Sequence, residues 1–162
     1  MPMPHSDAIT ELALEIFRLN GGLLADGDAM VADLGLTSAR WQVLGAVALS
    51  PAALPIAHLA RQMGLTRQSV QRIANDLEAK GYLRFAPNPH HERAKLVLLT
   101  SRGRRAYDSA IRRWEPRAES LGKGLGKNSI VAATELLRAI RQRLENDQNG
   151  ISGARNALEK HG

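Results

Sequence analysis

The 162-residue sequence has no cysteine. That excludes disulfides, thiolate zinc sites and cysteine-based oxidation sensing together. Aromatic residues are scarce at 4%, so a core has to be built mainly from Leu, Ala, Ile and Val, which suits packed helices better than a β-sandwich. Long apolar runs are missing too. The most apolar stretch, Val43 to Leu49, is far too short to cross a bilayer. Met1-Pro2-Met3-Pro4-His5 offers no basic region followed by an apolar run, so no signal peptide is expected and the expected compartment is cytoplasmic. No Ser/His/Asp set, Gly-rich phosphate loop or pair of carboxylates stands out, which argues against a small hydrolase or transferase. No cofactor or metal is implied. Asp26, Asp28 and Asp33 lack the spacing and terminal glutamate of a calcium loop and read as a solvated turn.

What remains is one domain's worth of chain, 44% hydrophobic and unevenly charged. The first 55 residues carry two Lys or Arg against six acids, and residues 106–162 carry ten against seven. Between Ile56 and Arg105 there are ten against three, a net of +7 where the flanking segments carry −4 and +3 and the whole chain +6. With a sequence pI near 10.3 and no helix combining a basic face with a large bulky apolar one, the partner implied is nucleic acid and not a membrane.

The basic segment has the pattern of a winged helix-turn-helix. Ile56, Leu59, Ala60 and Met63 repeat at helical spacing, Gly64 ends that helix, and Leu65 reads as a buried pin in the turn. Thr66 occupies an N-cap position, and a second helix buries Val70, Ile73, Ala74 and Leu77 before stopping at Gly81. Its other face carries Arg67, Gln68, Ser69, Gln71, Arg72 and Asn75, with almost nothing apolar to pack. The period then changes to two. Leu83 and Phe85, then Ala94, Leu96 and Leu98, alternate with their neighbours across the turn-rich Pro87-Asn88-Pro89-His90-His91-Glu92.

Around this segment, a first helix is expected from Ser6 or Asp7 to Asn20, closed by Gly21-Gly22. Leu36-Thr37-Ser38 opens another, which Ser50-Pro51 stops. Thr100 or Ser101 caps a long helix that Pro116 should kink or divide, and Leu121 to Gly126 breaks it. A last helix starts near Asn128, with Ile130, Ala133, Leu137, Ile140 and Leu144 at heptad-like spacing. The expected organisation is residues 1–35 as an N-terminal dimerisation helix and loop and 36–105 as the DNA-binding region. Residues 106–146 then form C-terminal dimerisation helices and 147–162 a polar extension, with one structural domain overall. The fold class is mainly α with a small β-hairpin wing.

From Leu36 to Leu144 the chain resembles the MarR family of winged-helix transcription regulators. The matching blocks include Leu36-Thr37, Arg40 to Leu44, Ile56 to Ala60, Leu65 to Arg72, Leu77 to Tyr82, Asn88-Pro89, Arg93 to Lys95, and Leu99-Thr100 with Gly103-Arg104. The resemblance implies a homodimer whose recognition helices enter successive major grooves of a pseudo-palindromic duplex, and a role as a ligand-responsive repressor. A sequence-neutral architectural DNA-binding protein is the alternative.

The residues expected to meet double-stranded DNA are Thr66, Arg67, Gln68, Ser69, Gln71 and Arg72 on the recognition helix, with Arg93 and Lys95 on the wing. Arg pairs well with guanine O6 and N7, Gln with adenine N6 and N7, and the helix N-terminus grips phosphate. Arg72 either binds phosphate or pairs with Asp76 one turn on. In the family an acidic residue commonly precedes the wing arginine by two positions. Here His91 stands there, so either Glu92 substitutes or the wing's grip is sensitive to pH. Adjacent His90 and His91 point in different directions, and no metal site is expected. Family resemblance also implies a small aromatic effector, for which Phe17, Arg40, Trp41 and Tyr107 are candidate pocket residues. Ordinary core packing is the competing explanation for each.

Overall fold

A computed structural model describes the backbone of residues 3–159 and the side chains of 3–147. The described chain is mainly helical: α1 (His5–Val31), a 3-10 turn (Ala32–Leu34), α2 (Ser38–Leu49), β1 (Leu54–Pro55), α3 (Ile56–Met63), α4 (Arg67–Ala79), β2 (Leu83–Ala86), β3 (Leu96–Leu99), α5 (Ser101–Gly122) and α6 (Lys127–Glu159). It forms two compact units, one running through Arg117 and the other beginning at Ala118.

In the first unit, local chemistry sets most boundaries. Thr37 caps α2 by accepting from the Arg40 N–H, and Thr66 caps α4 by accepting from the Ser69 N–H at 3.1 Å. Gly64 ends α3 at φ 65°, a left-handed conformation that glycine adopts without steric cost. Leu65, expected as a buried pin, is 45% exposed. The turn is held by backbone instead, with the Leu65 N–H donating to the Ala60 carbonyl at 2.9 Å.

The helices enclose a core of aliphatic residues in which Leu44, Leu59, Leu77 and Leu83 are among the largest fully buried side chains. Truncating any of these to alanine removes about 2–5 kcal/mol of stability. The hairpin pairs β2 with β3 in antiparallel register, Phe85 opposite Val97, and Val97 points into the core. The sequence pattern shows two strands, whereas the sheet has three, in the order β1-β3-β2. The extra strand is the two-residue Leu54–Pro55, paired with Val97 and Leu96. Its proline is tolerated because β1 is an edge.

The first helix departs most from expectation. It begins at His5 after Pro4, without a side-chain cap, and runs through Gly21 and Gly22 to Val31. Each glycine costs about 1 kcal/mol relative to alanine, and tertiary contacts on the following turns offset that cost. Gly27 is buried, and a Cβ there would collide with Ser38 Oγ. Ser38 donates its hydroxyl to the Leu24 carbonyl and its N–H to Asp28 Oδ1, both at 2.6 Å. The residues read as a solvated acidic turn are therefore helical and engaged: Asp28 holds the start of α2, and Asp26 receives Arg117 Nε at 2.9 Å.

Arg113 adds a second tie from α5, donating to the Met30 carbonyl at 2.8 Å and to both carboxylate oxygens of Asp33. This hydrogen bond holds the Asp33 carboxyl below its ordinary value, against the opposing effect of desolvation. A depressed carboxylate stabilises the fold above its unfolded pKa, about 3.9, and loses that contribution as pH falls through the lower folded value. Asp33→Asn should therefore melt below the unsubstituted protein at neutral pH, with the gap closing in acid below about pH 4. A gap that stays constant on acidification would show that the ion pair contributes nothing.

α5 continues through Pro116 to Gly122 and does not end there. The glycine-rich breaker follows, with Gly124 at φ 81°. In the second unit α6 continues past Asp147 to Glu159, where the sequence suggests a polar extension. Its apolar positions Ile130, Leu137 and Leu144 are 45, 38 and 59% exposed. Among the described residues no helix is long and apolar enough to cross a membrane.

Candidate nucleic-acid interface

The recognition helix α4 buries Val70, Ala74 and Leu77, which fixes the direction its polar residues face. Arg67, Gln68 and Arg72 are exposed on the other side, and Ser69 and Gln71 are partly so. Thr66 Oγ1 donates to Ser69 Oγ at 2.8 Å while accepting the Ser69 N–H. Ser69 is thereby left with its own hydroxyl proton to donate outward. Gln71 Nε2 donates to Asn75 Oδ1 at 2.8 Å, which limits the amide's rotamers before any ligand arrives.

A groove of about 930 Å³ opens between α4 and the loop joining β2 to β3. Arg67 and Gln71 line it from the helix, Arg93 and Lys95 from the wing, and His58 from α3. Four of the eight expected DNA contacts thus face one concavity. Gln68 and Arg72 are on the exposed part of α4 outside it, and Thr66 and Ser69 form the helix cap.

The wing loop is shaped by Asn88. Its Nδ2 donates to the Ala94 carbonyl at 2.9 Å, its Oδ1 accepts the His90 N–H at 3.0 Å, and its carbonyl accepts the His91 N–H. Asn88 thus positions the loop, and an Asn between two prolines, free to bond backbone on both sides, is the sequence signal for it. Asn75 and Glu78 also line the groove, one and nearly two turns beyond Gln71. Glu78 accepts the Phe85 N–H at 3.4 Å, joining α4 to β2. His90, His91 and Glu92 are exposed beside Arg93.

Of the two expected partners of Arg72, the structure bears on Asp76. Asp76 does not pair with it; Asp76 Oδ2 receives Arg40 Nε at 2.5 Å, and Arg40 Nη2 as well. Among the candidate effector residues, the Arg40 guanidinium is therefore engaged within the fold. The other three have separate surroundings. Phe17 is 72% exposed, Trp41 meets Trp114 edge-on with centroids 6.0 Å apart, and Tyr107 is buried beside Gly45. None of the four lines the groove.

A helix-turn-helix with a hairpin wing, carrying a basic groove between recognition helix and wing, defines a winged helix-turn-helix protein. Comparisons with known proteins make the class specific. A model described as MarR family matches residues 34–94, from the end of the 3-10 turn into the wing loop ahead of β3. The chain is 42% identical over 108 residues to an uncharacterized protein of Mycobacterium tuberculosis, covering 67% of this chain and 74% of the relative. It is 28% identical over 156 residues to BadR, a transcriptional activatory protein of Rhodopseudomonas palustris, covering 92% and 87%. Among solved structures, a mutant MarR of E. coli complexed with operator DNA superposes with a TM-score of 0.73 at 21% identity, covering 85% of this chain and 99% of that one. The chain belongs to the MarR family of transcription regulators.

Proposed function

We propose that this chain is a sequence-specific transcription regulator that binds a pseudo-palindromic operator as a homodimer in the cytoplasm. The observation carrying this reading is α4: an exposed face of Arg, Gln and Ser side chains, opened by a capped N-terminus and flanked by a basic wing. Residues on the first turns of a helix are the ones that reach base edges in the major groove. The dimer is supported by apolar side chains left uncovered on both units, including Phe17 and Leu19 on α1 and Leu136 and Leu144 on α6. Two half-sites about 10–10.5 bp apart suit such a dimer.

Repression is the mode we propose, because a dimer covering promoter DNA competes with polymerase; BadR is described as activatory, so a promoter fusion with and without the protein tests the sign. Ligand response, with a small aromatic effector shifting the distance between recognition helices, is proposed on family membership. The deciding experiment selects bound duplexes from a random DNA pool and sequences them. Enrichment of an inverted repeat with centres one helical turn apart is the expected result. Tight binding with no enriched sequence would replace this reading with an architectural one, in which the α4 face only grips phosphate.

A further inference from the structure

We infer that Arg40 is a positioning residue for DNA binding: by neutralising Asp76 it keeps the guanidinium of Arg72 available to the phosphate backbone. The inference rests on the DNA-binding reading above. Arg72 and Asp76 are one turn apart on α4, where oppositely charged side chains ordinarily meet. Here Asp76 is taken instead by Arg40, which arrives from α2 and places both Nε and Nη2 on one carboxylate oxygen. Two donors from a planar fork make a stronger bond than an i,i+4 pair with the base on the N-terminal side, which is the weaker orientation. The Arg40 and Asp76 side chains are 28% and 41% exposed, so the pair is partly shielded from solvent, whereas Arg72 is exposed. Arg72 has no hydrogen-bond acceptor or salt-bridge partner among the described residues.

Without Arg40, the recognition helix would carry an uncompensated carboxylate one turn from Arg72. Arg72 would fold onto it and be withdrawn from DNA. Lys80, one turn beyond Asp76 and in the better orientation with the acid on the N-terminal side, is the competing partner, and the test separates the two.

The experiment measures affinity for a mixed-sequence duplex as a function of salt between about 50 and 200 mM, for the full chain. Arg72→Ala should lower the slope of log affinity against log salt by about 0.9, the loss of one phosphate contact. Arg40→Gln, which keeps a polar group at the level of Nε but removes the charge and the Nη atoms, should lower it equally. Adding Asp76→Ala to Arg40→Gln should restore the original slope, which a merely structural role for Arg40 would not do. In an Arg72→Ala background Arg40→Gln should have no further effect; a further loss would assign the released carboxylate to Lys80 and overturn the proposal. If Arg40→Gln fails to fold, the Arg40→Gln/Asp76→Ala pair, which leaves no unpaired charge, carries the test: a slope below the original overturns the proposal. An unchanged slope for folded Arg40→Gln, with normal binding by the unsubstituted protein, overturns this proposal alone. No salt-dependent binding by the unsubstituted protein overturns the DNA-binding reading itself.

Discussion

Gly103→Ala should lower the free energy of unfolding by about 2–4 kcal/mol, the opposite of what the same change does in an unconstrained helix. Gly103 lies in the first turn of α5 and is buried. A Cβ there would overlap the carbonyl oxygen of Tyr82, with the carbonyl carbon 2.9 Å and the Cα 3.3 Å away. All three atoms are backbone, so no side-chain rotation relieves the contact. Nor can Tyr82 move easily. Its carbonyl accepts the Thr100 N–H at 3.1 Å, the Thr100 hydroxyl donates to the adjoining Gly81 carbonyl at 2.7 Å, and the same hydroxyl oxygen accepts the Gly103 N–H at 2.9 Å. The Tyr82 ring is fixed as well, its hydroxyl donating to the Leu34 carbonyl at 2.6 Å with Arg102 5.0 Å from the ring centroid. The junction where α4 turns into β2 is thus joined to the junction where β3 turns into α5, and an inserted methyl group separates them. Gly21→Ala is the control. Nothing lies within 4 Å of a Cβ at that position, so the helix-propensity gain of up to about 1 kcal/mol should appear undisturbed. Urea unfolding of both variants gives the answer: a Gly103→Ala midpoint at or above that of the unsubstituted protein would remove the close approach from the account of this fold.

The contrast between these two glycines also shows where the sequence is readable. Elements fixed by chemistry a few residues wide were legible: the Thr66 cap, the Gly64 stop, the start of α2 at Leu36-Thr37-Ser38, the cap of α5 at Thr100 or Ser101 and the change of period into the wing. Features decided by partners far along the chain were not. Gly21-Gly22 carries a local stop signal, yet α1 passes through it because Ser38, Arg113 and Arg117 hold its C-terminal half. β1 is two residues long and has a proline, so it exists only because β3 offers an edge. Asp76 has an eligible partner four residues away and takes a better one 36 residues away. The same division runs through the candidate site. Composition and periodicity indicate which α4 side chains are free of the core, but the bracing of the wing by Asn88 and the holding of Gln71 by Asn75 depend on placement.

That division gives the second large effect its form, because residues facing one duplex should fail in different ways. Gln68 is exposed and uncharged on the first turn of α4, and no hydrogen bond within the described residues engages its side chain. Its amide matches the N6 and N7 edge of adenine, a contact that discriminates by about 1–3 kcal/mol. Gln68→Ala should therefore erase about 5- to 150-fold of preference at a single base pair of the selected operator. Having no charge to lose, it should leave the salt dependence as it was. Lys95 lines the groove from the wing, and in the proposed complex its cation would meet phosphate. Lys95→Ala should weaken all duplexes by a similar factor, reduce the salt slope by about 1, and keep the base preference intact. Competition binding with the selected duplex, single-base variants and a scrambled duplex, each at two salt concentrations, measures both quantities for both variants. If Gln68→Ala weakens every duplex equally, α4 is a phosphate grip and sequence reading lies elsewhere. If Lys95→Ala changes preference at one base pair and leaves the salt slope alone, the wing and not the helix reads the sequence there. Crossed outcomes of this kind would reassign the two elements, because one side chain carries charge without shape and the other shape without charge.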